Sequence, residues 1–395
     1  MSESLFLSKA FSNSMHPMKI LPFFYKASDV FDDDDITVTT LVTNNRFHVL
    51  RALAERYDGP LSVTIHLPFS PGDSLSSLQA NLATLHKLLR SSPALASRAD
   101  IHLVISPFPR AFNAWRNLAR LAVRTKYILL LDVDFALCTS WRVPVQSLLR
   151  GTGEIARRMR EGSAALVIPA FEYVRAAEGR DQSMFPRNKQ DLYNLVRVKT
   201  VAPFHMQWAP GHNSTDYERF FKARPGEIYR VTQYQSAYEP YVIVKSDAGG
   251  WCDERFTGYG GNKAACLFEM YLSGISFYVL GDHFLIHQNH LYEEEARRSE
   301  RKYNRKIYAD FKEEACLRYI RRFYDEGTLN TTRGHNAQEE CQKIKGIGKI
   351  VTQVLCTANL LQLSGFVITI AFLGFIWPLK QPPVGCFSGR ISPVS

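Results

Sequence analysis

Tyr127-Ile128-Leu129-Leu130-Leu131-Asp132-Val133-Asp134 is an apolar run that ends on two carboxylates separated by a single valine. A short apolar run of this kind reads as a strand buried on both faces of a sheet. In an extended chain the side chains at i and i+2 point the same way, so Asp132 and Asp134 are expected on one side of the strand end. Two carboxylates placed there can hold a hard divalent cation whose remaining positions accept phosphate oxygens. An isolated Asp-x-Asp could equally cap a turn. Its weight comes from what surrounds it.

Outward from this run, strands and helices alternate. Residues 36–42 are rich in β-branched side chains and read as a strand; Phe47, Leu50, Leu53 and Tyr57 then recur at helical spacing up to the stop at Asp58-Gly59-Pro60. Residues 61–67 form a second expected strand, 74–89 a helix with Leu78, Leu82, Leu85 and Leu89 on one face, and 101–106 a third strand. A helix over 113–124 then leads into the strand at 127–131. This alternation predicts an α/β fold with a mostly parallel sheet covered on both faces. Ligands of such sheets bind beyond the carboxyl ends of the strands, where Asp132 and Asp134 fall. The second half is less regular, with strands expected at 164–169, 241–245 and 276–280, a helix at 262–272 and a charged helical stretch over 291–324.

The 395 residues are 46% hydrophobic and 22% charged, which suits a globular chain with a large core. The formal net charge of +10 favours an anionic partner. There is no zinc-finger spacing, basic heptad arm or ribonucleoprotein motif, so nucleic acid is not the expected partner. The seven cysteines form no Cys-x-x-Cys pair and fit either free thiols or one or two disulfides. Residues 1–35 read as a leader or stem without a convincing signal peptide or anchor. A domain over 36–325 follows, then a polar linker over 326–353. The hydrophobic segment 354–379 is about the 20 residues needed to span a bilayer, though Asn359, Gln362 and Ser364 interrupt it, and 380–395 is a tail. A membrane helix there, or a core or tail segment, both stay open.

The stretches Arg116-Asn117-Leu118-Ala119-Arg120, Leu131-Asp132-Val133-Asp134-Phe135, Val167-Ile168-Pro169-Ala170-Phe171-Glu172 and Tyr238-Glu239-Pro240-Tyr241-Val242, in this order, resemble glycosyltransferase family 49, the LARGE-like and β-1,4-glucuronyltransferase-like enzymes. Asp253-Glu254-Arg255-Phe256-Thr257-Gly258-Tyr259-Gly260, with Asn262-Lys263, is the most specific, and Phe284–His290 closes the series. The resemblance implies a GT-A fold, Rossmann-like in its nucleotide-sugar-binding half and mixed in its second half. It implies inverting transfer of glucuronic acid or a related sugar from a UDP donor to a glycan or glycoprotein, with Mn2+ or Mg2+. Asp132, Asp134 and His287 match the metal ligands, with His290 as a weaker alternative. Thr43, Arg46, Arg116, Asn117, Asp132 and Val133 fall at the donor, and Glu172, Trp208, His212, Asp216 and Lys263 on the substrate side. An ordinary imidazole at His287 would lose its metal as the pH falls through about 6.5.

Inverting transfer needs a carboxylate to take the acceptor's proton. Many inverting GT-A enzymes place it in a Gly-x-Gly-x-Glu-Asp stretch, but here Gly258-Tyr259-Gly260-Gly261 is followed by Asn262-Lys263. Asp253 and then Glu254 are the candidate bases, ahead of Glu172 and Asp216. A haloacid-dehalogenase-like phosphatase would put its Asp-x-Asp on the first strand, which this chain does not. A non-catalytic glycan- or partner-binding descendant of the same fold is the remaining alternative. The family's usual address implies the Golgi or another secretory membrane, with possible membrane association through 354–379.

Overall fold

The β-branched and apolar runs become strands, and the amphipathic runs between them become helices. The computed structural model describes residues 18–290 and 294–354. The chain divides into two units: one runs to Tyr271 and resumes over Ile275–Ala309, and the other takes Leu272–Gly274 and the chain from Asp310.

The first unit is built on a nine-stranded sheet. Its strands are β1 (Lys19–Tyr25), β2 (Ile36–Thr43), β3 (Leu61–Pro68), β4 (Ala99–Ser106), β5 (Tyr127–Leu130), β7 (Ala164–Ile168), β10 (Ile228–Arg230), β11 (Tyr241–Lys245) and β12 (Ser276–Leu280). They lie in the order β1-β4-β3-β2-β5-β11-β7-β12-β10. The stretch β4-β3-β2-β5 is parallel throughout, each step made by a helical crossover. β11 then inserts antiparallel between β5 and β7, and β12 returns parallel to β7. The sheet is therefore parallel from β4 to β5 and mixed from β11 to β10, with β1 antiparallel at the opposite edge. This is the expected α/β, GT-A class of architecture. A second, four-stranded sheet pairs β6 (Phe135–Leu137), β13 (Leu285–His287), β8 (Ala170–Tyr173) and β9 (Val201–Pro203) in that order.

The sheet begins earlier than Ile36, because β1 pairs antiparallel with β4 through Lys19–Ile105, Ile20–Val104 and Leu21–Leu103. The Phe23 backbone N–H donates to His102 Nδ1 at 2.9 Å and that of Ala27 to Asp100 Oδ1 at 3.0 Å. Part of the stretch taken for a leader is thus an edge strand. The core is continuous along the sheet, with Val38, Val63, Ile65, Ile101, Leu103, Leu129, Leu166 and Ile243 all inaccessible.

In the second unit the chain from Asp310 continues the Glu294–Asp325 helix, and a further helix spans His335–Gln342. The Cys316–Cys341 disulfide joins these two helices, and Phe311, Tyr319, Phe323 and Ala337 are buried. The expected polar linker over 326–353 therefore carries a helix, one half-cystine and buried side chains. Among the described residues no helix is long and apolar enough to cross a membrane. Beyond Val354, the hydrophobic segment and the tail lie outside the described residues.

Candidate active site

β5 stops at Leu130, and Leu131 N–H donates to Thr39 O at 3.1 Å. The chain then turns, with Phe135 N–H donating to Asp132 O at 3.1 Å before β6 begins. The pair Asp132 and Asp134 consequently sits in a turn and not in an extended strand. The two carboxylates meet different partners, although both act on the His287 imidazole.

Asp132 faces cations. Its Oδ1 accepts from Arg116 at 3.1 Å, and its Oδ2 accepts from Lys263 Nζ and Tyr241 OH, each at 3.1 Å. Burial pushes this carboxyl up, but the charges of Lys263 and Arg116 and their hydrogen bonds outweigh it and hold the group well below the ordinary range. Asp132 is therefore ionised at any physiological pH. Arg116 is itself fixed by Asn113 Oδ1 at 2.9 Å and Asn262 Oδ1 at 2.7 Å. Lys263, on the first turn of the Asn262–Leu272 helix, lies 3.7 Å above the Tyr241 ring.

Asp134 has its own partners, with Arg46 Nε at 3.6 Å from Oδ1 and His290 Nε2 at 3.4 Å from Oδ2. Its Oδ1 is buried and makes no hydrogen bond. The Gln288 N–H donates to Asp134 O at 2.7 Å, which ties the end of β13 to the turn and brings His287 alongside. The His287 ring packs 5.0 Å from both Phe135 and Phe204, and Nδ1 lies 3.3 Å from Asn289 Oδ1. Burial pushes its imidazole down to about 4, although Asp134 and Asp132 pull it back up.

These groups suit a divalent cation in kind: a buried carboxylate oxygen with no hydrogen bond, a neutral imidazole and an ionised second carboxylate. They are neighbours without being gathered. Among the described residues no three His, Cys, Asp or Glu side chains converge on one metal position.

The other expected donor residues divide. Thr43 ends β2, where its hydroxyl donates to Asn45 Oδ1 at 2.6 Å. Val133 is buried in the core, so only its backbone could meet a ligand. Asn117 is buried and spent on the fold: Nδ2 donates to Cys252 O and Glu254 Oε1 at 2.8 Å each, and Oδ1 accepts from Cys252 N–H at 3.0 Å. Both candidate bases are engaged likewise. The Asp253 carboxylate accepts from Arg255 N–H at 2.9 Å and from Arg255 Nε at 3.0 and 2.9 Å, while Glu254 is buried against Asn117. The Asp-Glu-Arg-Phe-Thr-Gly-Tyr-Gly run is a clasped loop. Glu300 accepts from Tyr259 N–H at 2.9 Å, and Asn304 donates to Thr257 O and Tyr259 O. Gly258, Gly260 and Gly261 have φ of 78°, 94° and 71°, and a Cβ on Gly258 would lie 2.4 Å from the Glu300 side chain.

On the substrate side, Glu172 stands on β8 level with His287 across the parallel pairing, and its Oε1 accepts from His205 N–H at 2.9 Å. Burial pushes the Glu172 carboxyl up. Trp208 is 60% exposed, and His212 is buried, with its ring 5.1 Å from Phe204. Asp216 caps the Tyr217–Lys222 helix by accepting from Arg219 N–H at 3.0 Å, with φ of 55°. Tyr241 and Asn262, which hold Asp132 and Arg116, lie in the family-like stretches but were given no role from sequence. Tyr241 lies in a strand pattern that marks it as core, and only its hydroxyl gives it this second task.

A sequence profile described as "Glycosyl-transferase for dystroglycan", that of glycosyltransferase family 49, matches residues 35–111 and 106–320. The chain belongs to this family. Rat "Xylosyl- and glucuronyltransferase LARGE2" is 33% identical over 264 residues, covering 65% of this chain and 34% of that protein. The human LARGE2 protein is 33% identical over 260 residues, and zebrafish "Xylosyl- and glucuronyltransferase LARGE1" is 27% identical over 285. The chain spans about a third of the length of these curated relatives. A slight structural likeness, TM-score 0.36 at 12% identity, links 65% of the chain to 44% of a GalNAc-T7 structure with UDP, GalNAc and Mn2+. In this family 49 chain, all the profile-matched pieces that meet at the Asp132 turn come from the first unit.

Proposed function

We propose that this family 49 chain is an inverting glycosyltransferase that moves glucuronic acid or a related sugar from a UDP donor to a glycan acceptor. The observation that carries this is the Asp132–Asp134 turn at the carboxyl end of β5, ringed by Arg46, Arg116 and Lys263. A cluster of cations around two carboxylates suits a diphosphate that arrives with a divalent ion. Asp134 and His287, with an oxygen of Asp132, would hold Mn2+ or Mg2+, which when bound would neutralise charge developing on the leaving diphosphate.

The remaining work falls to the chain's own side chains. Arg46, Arg116 and Lys263 bind the phosphates, and the exposed Trp208 offers a sugar an aromatic face. Asp253 and Glu254 are tied into the loop they belong to, which favours Glu172 as the general base. Burial raises its pKa and so makes it a stronger base than a solvated carboxylate, and its pairing on β8 with His287 puts it beside a proposed metal ligand. Two disulfides, Cys252–Cys266 and Cys316–Cys341, favour an oxidising compartment, which fits a secretory-pathway enzyme.

A panel of UDP-sugars, with Mn2+ and a glucuronic-acid- or xylose-terminated acceptor, tests this through release of UDP. UDP-glucuronic acid should turn over, and Glu172→Gln should lower kcat by about 10²–10⁴-fold with donor affinity retained. Absence of turnover with every donor would exclude the transferase assignment. Full turnover in Glu172→Gln would exclude only the base.

A further inference from the structure

Both oxygens of Asp132 are taken. An ionised carboxylate offers about four lone-pair positions; Arg116 fills one, and Lys263 and Tyr241 fill two more. Both cations are held on Asp132 while no competing acceptor is present. Arg116 is pinned by Asn113 and Asn262, and Lys263 is buried against the Tyr241 ring. Arg46 stands beside Asp134, and the buried Glu239 carboxyl interacts with Lys263, Arg116 and Asp132, so three carboxyl groups face three cations. A divalent ion entering here alone would have to share Asp132 with an ammonium and a guanidinium already bonded to it. A diphosphate entering with the ion would give Lys263 and Arg116 new acceptors.

We propose that Lys263 is a coupling residue, which opposes metal binding on Asp132 until a nucleoside diphosphate draws its ammonium onto phosphate. The proposal rests on the metal and donor assignment above and adds a direction to it. Metal alone binds weakly, metal and diphosphate bind cooperatively, and by linkage each raises the affinity of the other by the same factor. Lys263 is then a positioning residue whose charge sets the size of that factor. If it merely held Asp132 in place, its loss would weaken both ligands together.

The experiment measures Mn2+ alone, by the electron paramagnetic resonance signal of the free ion, and UDP by calorimetry at saturating Mn2+. Wild type, Lys263→Met, Lys263→Arg and Asp134→Ala are compared, each first checked by its thermal melt. Lys263→Gln replaces the Met variant should that one melt early. The expected result is that Lys263→Met binds Mn2+ alone about tenfold more tightly and UDP about tenfold more weakly, while Lys263→Arg behaves as wild type. Unchanged or weaker Mn2+ binding in Lys263→Met overturns the coupling role and leaves the donor site standing, provided that Asp134→Ala abolishes Mn2+ binding. Mn2+ affinity that survives Asp134→Ala overturns both.

Discussion

A single hydrogen bond, from Phe135 N–H to Asp132 O, decides how the acidic pair works. It bends the chain where the apolar run suggested extension, and it sends one carboxylate to Lys263 and the other to Arg46 and His290. The residue types at this site were legible from sequence, because an acidic pair closing a buried strand is unusual. Their orientation was not, because a turn one residue past a strand end leaves no periodicity. His287 carries a correction of the same kind. Its imidazole was expected to titrate near 6.5, but burial pushes it down to about 4. Between these values the unfolded chain binds the proton and the folded one does not, so His287 favours folding fully above 6.5 and loses that contribution as the pH falls toward 4. On the proposed assignment, its capacity to bind a metal follows the folded value. Mn2+ affinity in the presence of UDP should therefore hold from pH 7 to about 5.5 and fall only below that. A midpoint at 6.5 in the same titration would show an ordinary, solvated imidazole.

The Phe112–Leu121 helix shows how an element can look like a binding site while serving as a clasp. Asn113, Asn117 and Arg120 lie on its buried face and hold the 246–262 loop. Asn113 donates to Asp253 O and Asn262 O, and Arg120 to Ser246 O and Gly250 O at 2.9 and 2.7 Å. Polar residues on a buried helix face need partners, and nothing in the sequence says whether those partners are loop carbonyls or a nucleotide. The helix itself was legible because its apolar residues recur at the helical period; β6, β8 and β13 were not, being three or four residues long. β1 escaped for another reason. As a largely exposed edge strand containing Pro22, it shows neither alternation nor a buried run. Asn117→Ala discriminates between the two roles of its helix. It strips Cys252 N–H and O and the Glu254 carboxylate of the Asn117 amide, and it should cost about 2–3 kcal/mol of stability. A denaturant melt should show that loss with UDP affinity little changed. The reverse pattern, an intact melt with lost UDP binding, would return Asn117 to the nucleotide.

At the scale of the whole chain, cysteine chemistry carries the most information that sequence withheld. Cys252–Cys266 lies within the first unit and Cys316–Cys341 within the second, while Cys138 is free and buried. No spacing rule joins these pairs, because each is made by tertiary approach: Cys252 comes from the loop that Asn117 holds, and Cys266 from the helix that carries Lys263. The first bridge closes a loop with a sequence separation of 14, and that loop includes Asp253, Glu254 and the left-handed glycines Gly258, Gly260 and Gly261. Closing a loop of this length removes unfolded-state entropy worth about 3 kcal/mol. It also bears on the site, since Cys266 sits one helical turn beyond Lys263 and anchors the face that presents it. The double variant Cys252→Ser, Cys266→Ser should therefore lose about 2–4 kcal/mol of stability. Its UDP affinity in Mn2+ should fall as well, because the 253–262 loop is then left to noncovalent contacts such as those of Asn113, Asn117, Glu300 and Asn304. Reduction of the wild-type chain with dithiothreitol should shift its melt in the same direction. A melt unmoved by both treatments would mean that these thiols are not bridged in the folded protein. That outcome would also remove the strongest physical reason for placing the enzyme in an oxidising compartment.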